Sequence, residues 1–405
     1  MKMQESNGER PLITSLKTKF EEIYGQSTGS HLILTPGSLI LLGDHTHYND
    51  GILLSVALNK YSAIIIRKRN DQLINMLNLT EEHSIEFAIN EIDDQSDYKF
   101  RLQLCLLKML RDQELLKHGF DCILQSEVPE CLGLGAIASR EICFATALKK
   151  VLNLEINTHE LLGYVRQCEL QILGKISNIA HHYTLKFEKE NKFFAFDLRT
   201  LDHKTITNNY EDINLVLIDT KEKIPLVSDT CNERIEECEV GVKGLRLYIW
   251  GIKNLRDIEQ DFLMRHYHML PRRIFNRVLY NVSERIRTEE AIKYLKKNMI
   301  KEFGDCITRS HQSISYDYDL NHHKSDFIVE KAKVFPGVIG SKMISCSPWI
   351  STFHIVNNES TLTFIKQIKK SFKEEFNCEP EAHIFKIAGA TKELSAKQIE
   401  MLLSE

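Results

Sequence analysis

PGSLILLGDHTHYNDGILLSVAL, Pro36 to Leu58, places two apolar runs, LILLG and ILLSVAL, on either side of a polar turn. The turn carries Asp44, His45, Thr46, His47, Tyr48 and Asn49. Two buried strands joined there would lift five or six polar side chains into one pocket, which is the layout of a ligand site.

The rest of the chain supplies the body around that turn. Its 405 residues are 43% hydrophobic and 27% charged, enough apolar material for two lobes rather than one very large core. A formal net charge of −4 gives no reason to expect a nucleic-acid or membrane partner. The opening MKMQESNGER has no apolar signal core and no run approaches a membrane span, so a cytoplasmic location is expected. Ten cysteines lie between Cys105 and Cys378 without a C-x-x-C pair, and are read as mostly buried, reduced thiols.

Periodicity gives the order of elements. Pro11 to Tyr24 reads as a short amphipathic helix; the strands HLILT, SLILLG, ILLSVAL, YSAIIIRK, QLINMLNL and SIEFAI follow. A helix is expected over Tyr98 to Lys117, then the strand FDCILQSEV, then VPECLGLGAIASREICFATALKKVL, a strand exit, a glycine turn and a helix entry. Such a turn can cradle phosphate, because N–H groups at a helix N-terminus point at the anion. Asn157 to Leu173 reads as a helix with a capping box, Asn157 to Glu160. Helices are further expected from about Asp229 to Leu247, over Arg273 to Lys297, Asn298 to Ser315, Asp326 to Val334 and Glu359 to Phe376, with strands INLVLIDT, STFHIV and AHIFKIAGA among them.

The opening stretch resembles the first signature of galactokinases, in the GHMP family of small-molecule kinases, roughly P-G-R-x-N-L-x-G-E-H-T-D-Y-N-x-G. Pro36, Gly37, Leu41, Gly43, His45, Thr46, Tyr48, Asn49 and Gly51 match without a gap, while Ser38, Asp44 and His47 replace the family's arginine, glutamate and aspartate. Pro129, Gly133, Leu134 and Ala138 match the second signature, P-x-G-x-G-L-S-S-S-A, whose three serines are Gly135, Ala136 and Ile137 here. GKISNIAHHYTLKF is similar to the block holding the family's catalytic aspartate, which falls on His181, and a sugar-contacting glycine, which falls on Asn178. A sugar-contacting tyrosine falls on or near Cys231. The glycine-rich third signature reads GSKMISCSPWIS, Gly340 to Ser351, a series that a tight glycine turn cannot accept unchanged. The loop is therefore expected to take another path, and whether the bulky Trp349 occludes the former nucleotide or sugar space stays open.

The resemblance implies an α+β, two-lobed GHMP kinase fold. Residues 1–210 would form a ribosomal-protein-type N-terminal lobe, and 211–405 a ferredoxin-like α+β C-terminal lobe. It implies a ligand pocket lined by Asp44, His45, His47, Asn49, Asn178 and His181, and a phosphate-loop remnant at Gly133, Gly135 and Ala136. Glu169 stands where galactokinases keep an acidic magnesium ligand. In the family, the arginine and aspartate at Ser38 and His181 serve the sugar's anomeric hydroxyl, so no catalytic residue is assigned.

Three readings stay open. The first is a catalytically impaired galactokinase homologue that binds a sugar or related metabolite, with no cofactor assigned, and reports its bound state to a protein partner. The second is an active sugar kinase using Mg-ATP, with His181 as general base and Lys342 or Lys175 restoring positive charge. The third is a zinc-type metal site built from Asp44, His45, His47 and His181.

Overall fold

The computed structural model describes residues 9–174, 178–224, 227–345 and 347–404. Helix α1 (Glu9–Tyr24) leads into two long strands, β1 (His31–Leu42) and β2 (Ile52–Lys68), which carry the polar turn between them. The sequence read four short strands here. The pairs are continuous because register shifts between Pro36 and Gly37, and between Ile40 and Leu42, bend β1 without ending it. A bulge is where a strand tolerates proline, which has no N–H to give the ladder.

After β3 (Leu73–Asn78), β4 (His83–Ala88), α2 (Arg101–Asp112) and β5 (Phe120–Ser126) come α3 (Ala136–Val151), α4 (Thr158–Leu173), α5 (Ile179–Phe187), β6 (Lys192–Asp197) and β7 (His203–Thr207). The second half runs β8 (Ile213–Lys223), α6 (Val227–Leu245), α7 (Gln260–Arg265), α8 (Arg272–Lys296), α9 (Ile300–Tyr316), α10 (His323–Lys333), β9 (Val338–Ile344), β10 (Trp349–Asn357), α11 (Thr361–Phe376), β11 (Glu381–Phe385), β12 (Lys392–Leu394) and α12 (Ala396–Ser404). The capping box at α4 forms: Asn157 accepts the Glu160 N–H at 2.9 Å, and Glu160 accepts the Asn157 N–H at 2.7 Å.

The strands make two sheets. The larger runs β12-β1-β2-β5-β3-β4, with β6 paired to β2 and β7 to β6; the smaller runs β11-β8-β10-β9. The C-terminal strand β12 thus returns to the first sheet, where Leu394 packs with Leu12, Leu16, Phe20 and Ile65 on one face. On another side, α2, α3 and α4 bury Leu107, Phe144 and Leu161 against Ile64 and Phe120. A third core joins the two sheets: Leu39, Leu41, Val56 and Leu134 meet Leu217, Phe303, Ile344 and Phe353. Truncating a phenylalanine in such a core costs about 3–5 kcal/mol, so the junction is a rigid support for the turn. Among the described residues, no helix is long and apolar enough to cross a membrane.

Candidate functional site

The polar turn is fixed first by its backbone. Gly43 has φ +92°, and a Cβ there would stand 2.3 Å from the Ile52 carbonyl oxygen. Thr46 closes the turn through its N–H and hydroxyl, both donated to the Gly43 carbonyl at 3.1 and 2.7 Å, and its own carbonyl accepts the Asn49 and Gly51 N–H groups. His45 is held at φ 59°, a left-handed conformation that a non-glycine residue adopts at a cost.

Beneath the turn lies a buried ionic cluster. Lys342 on β9 is fully buried, with Nζ 2.9 Å from Asp44 Oδ2 and 3.7 Å from Glu284 Oε1. Glu284 on α8 also accepts the Gly43 N–H at 2.9 Å and the Ser310 hydroxyl at 2.7 Å, and pairs with Arg287. Burial pushes the Asp44 carboxyl up, partly offset by Lys342. For Glu284 burial is outweighed by Lys342, Arg287 and its hydrogen bonds, and its pKa falls below the usual value. Tyr280 donates its hydroxyl to the Asp44 carbonyl at 2.8 Å.

The structure divides the expected ligand residues into two groups. Asp44, His45 and Asn49 are buried and turned inward: His45 Nδ1 is 3.2 Å from the Tyr48 hydroxyl, and Asn49 donates to Asn281 on α8 at 3.1 Å. Tyr48 in turn meets the Tyr318 hydroxyl, which lies 3.5 Å from Cys238 Sγ. It is therefore Cys238, two helical turns beyond Cys231 on α6, that reaches this group. His47, Asn178 and His181 are only partly buried, and Asn178 Nδ2 lies 3.5 Å from His47 Nδ1.

His181 Nδ1 is 2.8 Å from Ser38 Oγ. Asn178 caps α5 by accepting the Ala180 N–H at 3.0 Å, which sets His181 on the first turn of that helix. Burial lowers the pKa of His181, with His182 adding to it, to about 4; burial alone lowers that of His47 to about 4. Both imidazoles are neutral near pH 7.

The zinc-type cluster does not form. Among the described residues no group of three or more His, Cys, Asp or Glu side chains could hold a metal ion. Asp44 is engaged by Lys342, His45 is turned toward Tyr48, and His181 faces Ser38. Lys342 is likewise committed to two carboxylates and does not restore a free positive charge, while Lys175 lies outside the described residues.

The loop before α3 keeps a cradle's backbone. Gly133 and Gly135 have φ +73° and +64°, and a Cβ on Gly135 would stand 2.7 Å from Ser38 Oγ and 2.8 Å from His181 Nδ1. Ala136 and Ile137 carry no oxygen, and the hydroxyl of Ser139 is turned away to Thr35 and Ser62. Gly340 to Ser351 forms the hairpin β9–β10, with Cys346 outside the described residues. Its Ile344 methyl would lie 2.4 Å from a Cβ on Gly133, and the Ser347 hydroxyl donates to the Cys131 carbonyl. Trp349 is half-buried, packs against the core that includes Leu132 and Leu134, and receives the Lys223 ammonium 4.9 Å from its ring centroid. Ile344 and Ser347 press on the loop.

Glu169 on α4 is buried, 2.9 Å from His182 Nε2. As a carboxylate it fits a magnesium ion, but the metal-assisting hydroxyls of the family's serine loop have no counterpart at Ala136 and Ile137. Sequence reading missed Glu284, Tyr280 and Tyr318. A signal for the first was present: Arg277, Asn281, Glu284 and Thr288 recur at helical spacing as a polar stripe on one face of a long helix.

Comparison with known proteins fits this geometry. The family model for the galactokinase galactose-binding signature matches residues 18–68, and that for the GHMP kinases N terminal domain matches residues 101–184. The galactokinase of Fusobacterium nucleatum is 28% identical over 387 residues, covering 94% of this chain and 100% of the relative. That of Exiguobacterium sibiricum is 26% identical, covering 89% and 93%. The crystal structure of Lactococcus lactis galactokinase complexed with galactose superposes with a TM-score of 0.86 at 22% identity, over 95% of this chain and 100% of that one. Methanococcus jannaschii mevalonate kinase gives 0.61 at 19% identity, over 89% and 100%.

The chain has the α+β fold of the GHMP kinases. Its turn matches the galactokinase galactose-binding signature, and it is similar to galactokinases over about nine-tenths of its length.

Proposed function

We propose that this galactokinase homologue binds a neutral hexose or related polyol and transfers phosphate poorly. The observation that carries the reading is the 2.8 Å contact between Ser38 and His181. At positions where the family resemblance implies an arginine and a catalytic aspartate, the two side chains satisfy each other, and neither is charged near pH 7. Phosphoryl transfer depends on positioned charge, metal and acceptor hydroxyl. Losing one preorganised contact costs about a hundred- to a thousandfold in rate, and several losses together leave little beyond binding.

The retained lining supports a sugar as ligand. His47, Asn178 and His181 present neutral hydrogen-bonding groups on one side of the lobe junction, and a relative with the same fold is known complexed with galactose. In this reading residues 1–210 supply the sugar turn and loop, and 211–405 close the pocket from the other side.

The test is a thermal melt against a hexose panel with and without Mg-ATP, paired with a sugar-phosphate assay. A ligand at a hundredfold its dissociation constant adds about 2.7 kcal/mol of stability, which melting resolves. A sugar shift with phosphorylation at least about a thousandfold below an ordinary galactokinase is expected. Turnover at ordinary galactokinase rates would overturn the impairment and leave an active kinase with a base other than aspartate.

A further inference from the structure

At the end of α6 the chain forms a tip from one apolar run, LRLYIWGI, residues 245–252. Leu245, Ile249 and Ile252 turn inward and share a core with Leu263 and Leu270. Leu247, Tyr248 and Trp250 turn outward, at 81%, 54% and 99% exposure. The tip is held in shape: Arg246 donates to the Ile252 and Lys253 carbonyls at 2.9 and 3.1 Å, and the Tyr248 and Ile249 N–H groups both reach the Leu245 carbonyl at 2.9 Å. Met264 and Tyr267 are exposed on the segment packed beside it, where Leu270 lies against Gly244. A leucine and a tryptophan so exposed add little to the fold, and exposed apolar side chains gathered in one place mark an interaction surface.

We propose that this tip is a peripheral membrane contact, with Leu247, Tyr248 and Trp250 entering the headgroup region of an anionic lipid bilayer. Charge complementarity selects that occupant. Residues 243–273 carry seven lysines and arginines against three aspartates and glutamates, a local excess of four positive charges in a chain whose net charge is −4. Lys243, Lys253, Arg265 and Arg272 among them are exposed. The whole-chain charge, which gave no reason to expect a membrane, averages this excess away. Anionic lipid attracts basic residues that stand close to the surface.

Shape argues the same way. The tip projects: a Cβ on Gly251, which has φ +85°, would meet nothing within 4 Å. A projecting aromatic tip suits a soft bilayer, where tryptophan and tyrosine rings settle at the level of the headgroups. A bound peptide needs a groove or a free sheet edge, and the tip is neither. A second copy meeting tip to tip would bring like charges together.

The experiment is flotation of the full chain with phosphatidylcholine vesicles, with and without about one-third phosphatidylserine, at about 0.1 M and about 1 M salt. Binding to the anionic vesicles alone is expected, weakened by salt, with tryptophan fluorescence quenched by brominated lipid. Leu247→Ala combined with Trp250→Ala should cut the partition at least about tenfold and abolish the quenching, with the melting temperature unchanged because both side chains are exposed. Lys253→Glu combined with Arg265→Glu should weaken binding while leaving the apolar tip intact. No binding to anionic vesicles would overturn the proposal, as would equal binding by the double alanine protein. So would a dimer in solution that the two alanines dissolve, which would assign the tip to a second copy of the chain.

Discussion

The turn at Gly43–Gly51 and the loop at Cys131–Gly135 are held by opposite means. The turn rests on charge: Lys342, Asp44, Glu284 and Arg287 form a buried set of two cations and two anions that knits β9 and α8 to the backbone of Gly43. The loop rests on backbone conformation and apolar contact. Two glycines at positive φ set its path, Leu132 and Leu134 are buried, and Ile344 lies against Gly133. Buried charges that balance one another organise a scaffold but offer nothing to a ligand. Groups that act on a substrate must be left partly unsatisfied, and at the loop those are the ones replaced by Ala136 and Ile137. In the proposed reading, the chain keeps its supporting charges while the hydroxyls of the family's serine loop have no counterpart at Ala136 and Ile137.

Lys342→Met is the largest way to break that contrast. Removing one partner of a buried pair typically costs about 3–5 kcal/mol, because Asp44 and Glu284 would remain buried with only Arg287 to balance them. Urea unfolding should show that loss, and Asp44→Leu added to Lys342→Met should recover part of it. Full additivity of the two would mean the ion pair does not hold the turn.

Gly135→Ala tests the loop. The left-handed conformation costs alanine about 1–2 kcal/mol, and its Cβ would force Ser38 and His181 apart, for a total of about 2–3 kcal/mol. Sugar binding, read by calorimetry, should fall with it. Unchanged stability and affinity would place the loop's support elsewhere.

A smaller effect is expected from Ser38→Ala, about 1 kcal/mol for the lost hydrogen bond to His181. Because the imidazole stays neutral near pH 7, the acid limb of the stability curve should keep its place. His181 has a folded pKa near 4 against about 6.5 when unfolded, so the unfolded state binds more protons between these values. Its contribution is therefore present above about pH 6.5 and is lost as pH falls toward 4. A variant whose histidine signal titrates near 6.5 by NMR would show that Ser38 keeps water out of the site.

Much of this contrast was legible in the sequence, and the rest failed for definable reasons. The turn, the glycine loop and the α4 cap are local patterns, so their residues announced them. The lost hydroxyls at Ala136 and Ile137 were equally local. The proposed metal cluster failed because neighbours in sequence, Asp44, His45 and His47, point in different directions once His45 takes φ 59° and the turn continues as a tight helical turn through His47–Asn49. Lys342 read as a free cation because its two carboxylate partners come from positions 44 and 284, which no local window contains. Trp349 stood out by size alone, while its pairing with Lys223 sets it at the start of β10 between the two inner strands of the second sheet, packed against the core that joins the sheets.

Asn157→Ala is the mildest test and separates support by helix ends from support by buried charge. The Asn157 side chain accepts the Glu160 N–H while Glu160 answers the Asn157 N–H, so alanine removes one bond directly and loosens the other. N-cap losses of this kind cost about 0.5–2 kcal/mol, and the exposed position favours the lower half of that range. The cost should fall on the first turn of α4, seen as faster amide exchange at Leu161 and Leu162. Glu169, almost three turns further on and held by His182, should keep its protection. If exchange quickens equally at both ends, α4 unfolds as one unit with the loop, and the charge-held turn is the more independent of the two regions.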